Sequence, residues 1–102
     1  MELQYASEKV EAQCTSVKSA RKLFGGNSAL VISLMARINS LANADTLKDI
    51  IVQPTFRFHS LQNKRRRELD GYFSIDVKTK KEPWRIILQP LTNDKNHLIP
   101  AI

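Results

Sequence analysis

His59 lies in the stretch FRFHSLQNKRRRELDGYFSID, residues 56 to 76, behind Phe56 and Phe58 and shortly before Lys64, Arg65, Arg66 and Arg67. An imidazole ionises near neutrality, so it is the side chain best matched to taking or giving a proton at physiological pH. Four consecutive cations repel one another unless something neutralises them, which points to a polyanion. If all four met phosphates of a single strand, log affinity would fall against log salt with a slope of about −3, at about −0.7 per contact. Arg57 shares the local strand pattern with His59.

Each of these residues has a blander use. A basic run is commonly a solvated loop face, and a lone histidine on a strand commonly caps or packs. Arg85, between Trp84 and Ile86, can stack on a ring or hold an internal carboxylate such as Asp76. Tyr72 can stack on a base, as half-exposed sheet tyrosines also do on neighbouring side chains. Cys14 reads as a small buried hydrophobe.

The elements that position these residues follow from spacing. At 102 residues the chain is expected to form a single domain, 1–102. "MELQYA" alternates as a short strand does. Ser7 is placed to cap a helix, with Glu8 in its first turn. Val10, Cys14, Val17 and either Ala20 or Arg21 then recur at helical spacing over 8–24. Gly25, Gly26 and Asn27 end that helix, and Asn27 or Ser28 caps a second over 28–43. There Leu30, Leu34, Ile38 and Leu41 make an apolar stripe, widened by Val31 and Met35. Asp45 is placed as another cap and Pro54 as a stop around one short helical turn.

From Thr55 the period becomes two, and strands are expected over 55–61, 71–78 and 84–90. Tyr72, Ser74, Asp76 and Lys78 alternate there with Phe73, Ile75 and Val77. The fold class expected is α+β: an N-terminal strand, a two-helix hairpin, then antiparallel strands.

Charge is unevenly spread. Residues 1–51 hold six Lys/Arg against five Asp/Glu, whereas residues 52–102 hold ten against five, within an overall net charge of +6. One face is therefore expected to meet an anionic partner. A lone cysteine allows no intramolecular disulfide, and two histidines are too few for a His-rich zinc site. The acidic, amphipathic start lacks the pattern of a secretory signal, and no apolar run approaches membrane-spanning length. A cytoplasmic setting, with no membrane partner, is the expectation.

"FRFHSL", "GYFSIDV" and "WRIIL", in that order behind a strand and two helices, resemble the RelE/ParE toxin superfamily. The nearest branch is the HigB-like plasmid maintenance killer toxins of bacterial toxin–antitoxin pairs. The resemblance covers residues 1 to about 91. It implies a compact RelE-like fold and a ribosome-dependent endoribonuclease that cuts messenger RNA. It also implies a cognate antitoxin, of helix-turn-helix type, that neutralises the toxin.

Such cleavage uses no metal or other cofactor. The neighbouring 2′-hydroxyl attacks the phosphate, so the protein must move protons and stabilise a pentavalent phosphorane. By its position in the motif His59 would be the acid or base, and Arg85 would be catalytic beside it. Arg57, Lys64, Arg65, Arg66 and Arg67 would hold phosphates, and Tyr72 would stack on a base. The sequence departs from the pattern where Gln62 and Asn63 replace a Lys-Gly pair, and at "TNDKNHLIPAI", where Pro100 argues against a closing strand. That departure leaves open a ParE-like DNA gyrase inhibitor, or an impaired fragment that only binds antitoxin or RNA.

Overall fold

The computed structural model describes residues 2–60, 72–79, 83–90 and 96–101. The described chain is α+β. Strand β1 (Leu3–Tyr5) is followed by helices α1 (Glu8–Thr15), α2 (Val17–Leu23), α3 (Ser28–Asn43) and α4 (Leu47–Ile51). A 3₁₀ turn at Pro54–Phe56 leads to β2 (His59–Ser60), β3 (Phe73–Asp76), β4 (Arg85–Pro90) and β5 (Asn96–Ala101). The five strands form one sheet in the order β1-β5-β4-β3-β2.

The expected first helix, 8–24, is two helices. Ser7 caps α1 by accepting the Val10 N–H at 3.2 Å. Thr15 then turns its hydroxyl back to the Glu11 carbonyl at 2.7 Å, and Ser16 takes an extended conformation, with its Oγ accepting from Ser19 N. Hydroxyl side chains that bond the local backbone compete with helix continuation. The break shifts the helical phase, so Cys14 and Ala20 are buried while Val17 is 51% exposed and lies off the stripe.

The turn after α2 behaves as its glycines require. Gly25 and Gly26 both have positive φ, and the Gly26 N–H reaches the Arg21 carbonyl at 2.9 Å, closing the helix end. Asn27 caps α3 by accepting the Leu30 N–H. Leu30, Val31, Leu34, Ile38 and Leu41 are buried as expected, with Met35 packed against them. Their core is shared with Ile75, Val77, Ile86 and Leu88 of the sheet region. Before α4 the cap is Thr46 rather than Asp45, and the Asp49 carboxylate accepts from the N–H groups of both Asp45 and Thr46.

Two further expectations are corrected. The alternation from Thr55 is not a strand at its start. Pro54 opens a 3₁₀ turn, which suits a residue with a fixed φ and no N–H to donate, and Arg57 follows in the left-handed region with φ 48°. Pairing begins only at His59. At the other end, residues 96–101 do form a strand. It pairs antiparallel with β4 and parallel with β1. Pro100 stands opposite Ile86 of β4 and beyond the Asn96–Leu98 stretch that pairs with β1, so among the described residues β5 is paired on both sides only before it reaches the proline. Among the described residues no helix is long and apolar enough to cross a membrane.

Candidate functional site

Strand β3 divides its residues between two faces. Ile75 enters the hydrophobic core, while Ser74 and Asp76, one step to either side, take the opposite face. His59 is the cross-strand partner of Ser74, and Arg85 is the cross-strand partner of Asp76. Directly paired residues lie on the same face of a sheet, so His59, Ser74, Asp76 and Arg85 are brought together from three strands. Their grouping is a consequence of register, and a slip of one residue would scatter it.

Asp76 is the hub of this group and is fully buried. Its Oδ2 accepts from Arg57 Nη1 at 3.1 Å, and its Oδ1 lies 2.9 Å from Arg85 Nε. The second contact is short but falls off a hydrogen-bond line, so charge rather than a directed donor holds Oδ1. Arg85 also donates from Nη1 to the Trp84 carbonyl at 2.8 Å. The arginine side chains differ in exposure, 47% for Arg57 and 25% for Arg85. A carboxylate taken fully out of water needs such compensation, because its desolvation costs several kcal/mol.

A third arginine reaches the same place from α3. Arg37 donates from Nε to the Asp76 carbonyl at 3.1 Å and from Nη2 to the Thr55 carbonyl at 3.2 Å. Its guanidinium sits 4.5 Å from the centre of the Phe56 ring, a cation–π contact. Burial lowers its pKa, and the Asp76 charge acts in the opposite sense. Two guanidiniums therefore hold the Asp76 carboxylate and a third holds its main-chain carbonyl, leaving the described group with a net positive charge.

His59 stands at the rim of this group and is exposed. Its Nδ1 is 2.7 Å from the Arg57 carbonyl and its Nε2 is 2.9 Å from the Ser74 hydroxyl. The left-handed backbone of Arg57 lies just before this contact. Its carbonyl meets the ring and its side chain meets Asp76. A non-glycine residue in that region costs of order 1–3 kcal/mol and persists where its surroundings fix it. Beside the ring, Phe58 and Phe73 stack with centroids 4.9 Å apart, supporting the β2–β3 pair from the other face.

Of the residues singled out from the sequence, His59, Arg57 and Arg85 meet in this group. Lys64, Arg65, Arg66 and Arg67 lie outside the described residues. Tyr72 directly precedes β3 and is half-buried. The plainer use foreseen for Arg85, holding the carboxylate of Asp76, is the one observed. Two participants were not foreseen: Ser74 and Arg37. Ser74 was legible as the polar-face neighbour of Asp76, but nothing in its type signalled a histidine partner. Arg37 sits on an otherwise apolar helix face, and an arginine interrupting a buried stripe was the available signal. Among the described residues, no three of His, Cys, Asp and Glu are grouped as metal ligands are. Comparison with known protein families, with curated proteins and with solved structures gives no match.

Proposed function

We propose that this chain cuts messenger RNA on the ribosome by a metal-independent route, as a toxin of RelE-like fold similar to the HigB-like branch. Its protein partner would be a cognate antitoxin of helix-turn-helix type. The observation that carries this reading is the setting of His59. An exposed imidazole is held at both ring nitrogens, beside two arginines that share one buried carboxylate.

In this reading His59 serves as acid or base on the 2′-hydroxyl or the leaving 5′-oxygen. Arg57, nearly half exposed, and Arg85 behind it supply fixed positive charge where the phosphorane develops. Asp76 aims both guanidiniums without cancelling their joint charge. Lys64 through Arg67 hold the flanking phosphates, and Tyr72 stacks on a base. Strand β5 supplies the closing strand whose expected absence had left an impaired nuclease open.

A second reading has its own support. Arg85 already contacts Asp76 and the Trp84 carbonyl, which suits a domain that binds without cutting, including a ParE-like gyrase inhibitor. Controlled expression with cut sites mapped by primer extension separates them. Cleavage inside translated messages, absent when translation is blocked, supports the nuclease. Growth arrest with DNA breaks and intact messages supports the gyrase-directed reading.

A further inference from the structure

We infer that Ser74 and the main-chain carbonyl of Arg57 act as a positioning pair that fixes neutral His59 as its Nδ1–H tautomer. Nε2 is then the one basic nitrogen of the site. A carbonyl oxygen only accepts, so the 2.7 Å contact between Nδ1 and the Arg57 oxygen requires the proton on Nδ1. The bond made by one ring nitrogen sets the state of the other. Nε2 therefore keeps its lone pair, and the Ser74 hydroxyl at 2.9 Å donates to it.

The partner at Nε2 suits a ring that changes charge. A hydroxyl is both donor and acceptor, and its hydrogen rotates to suit. When Nε2 takes a proton, Ser74 turns from donor to acceptor, and the ring keeps both bonds in the same pose. A lysine or a second carbonyl in that place would hold only one of the two charge states. Ser74 is 1% exposed and cross-strand to His59, so the ring is its matched partner by register. Arg57 reaches its carbonyl position through the left-handed conformation, φ 48° and ψ 51°. An unusual backbone beside an acid–base group is where such conformations concentrate.

The tautomer rests on geometry alone, while the value of this pair to a reaction rests on the RNA-cleaving reading above. The test uses the full chain labelled with ¹⁵N at histidine, with His59 signals assigned by their loss in His59→Gln. Long-range proton–nitrogen spectra above the imidazole pKa read each ring nitrogen separately. The expected result is a protonated Nδ1 and a bare Nε2 in the wild type. Ser74→Ala should give a mixture of tautomers and lower message cleavage by about tenfold, a fraction of the 10²–10⁴-fold typical of the acid–base group itself. Ser74→Thr, which keeps the hydroxyl, should restore both. A wild-type ring protonated on Nε2 overturns the inference without any variant. A pure Nδ1–H ring in folded Ser74→Ala overturns the part given to Ser74. The expected tautomers with no cleavage of any message would overturn the RNA reading and leave the tautomer standing.

Discussion

Arg85 and Asp76 face each other across β4 and β3, with Nε 2.9 Å from a carboxylate oxygen that has no exposure to solvent. Arg57 takes the other oxygen at 3.1 Å from a segment that precedes β2. One buried anion thus ties three separate parts of the chain together, and His59 hangs from the same framework through the Arg57 carbonyl.

Asp76→Asn should therefore destabilise the fold by roughly 3 kcal/mol, the lower end for breaking a buried pair, because its arginines are partly solvated. Arg85→Met should cost more than Arg57→Met, since Arg85 is the less exposed of the two. Urea melts read all three. A change within about half a kcal/mol for Asp76→Asn would mean that the cluster is not holding the sheet.

The break at Ser16 turns Val17 off the apolar stripe that a continuous helix over 8–24 would give it. Leu34, fully buried on α3, should cost about 2–5 kcal/mol when truncated to Ala. Val17→Ser should stay within about 0.5 kcal/mol, because Val17 is turned outward. Comparable losses at both positions in denaturant melts would restore an unbroken helix over 8–24.

Much of this architecture was legible in the sequence. The α3 stripe, its Asn27 cap and the Gly25-Gly26 stop follow from spacing and local backbone chemistry. The break at Ser16 was not legible, because a single serine in an apolar period is usually tolerated and its local bonds decide the outcome. Strand β5 was hidden by Pro100, because a proline weakens a strand only where its nitrogen faces a paired neighbour, and that depends on register. At the site, alternation placed Ser74 and Asp76 on one face but could not say that this face is buried. Side-chain partners such as Ser74 with His59 depend on cross-strand register, which no short window of residues contains.

Burial pushes the Cys14 thiol up to about 11 from its ordinary 9.0. The folded chain then keeps a proton that the unfolded chain loses, so stability from this source is full below about pH 9 and falls as pH rises toward 11. Tyr5 adds to the same trend, raised first by burial and then by Cys14 and Glu11. Cys14→Ala should make the alkaline fall in urea midpoint shallower than in the wild type. Parallel curves would contradict the raised thiol.

The basic run should show itself in salt dependence. Charge reversal at Arg65 and Arg66 should weaken binding to single-stranded RNA or ribosomes and flatten the slope of log affinity on log salt by about 1.4, two contacts at about 0.7 each. Circular dichroism melts close to wild type would show that the loss is in binding and not in folding. An unchanged slope would mean that the run makes no phosphate contacts.

His59→Gln removes the one side chain proposed to move a proton in RNA cleavage. Glutamine keeps hydrogen-bonding capacity at a similar size but does not titrate. Cleavage of a translated reporter message should fall about 10²–10⁴-fold, roughly 3–5 kcal/mol of barrier, with melting temperature preserved. Growth arrest should disappear with it. A His59→Gln chain that folds, arrests growth and cuts the reporter at the wild-type rate would remove His59 from the chemistry.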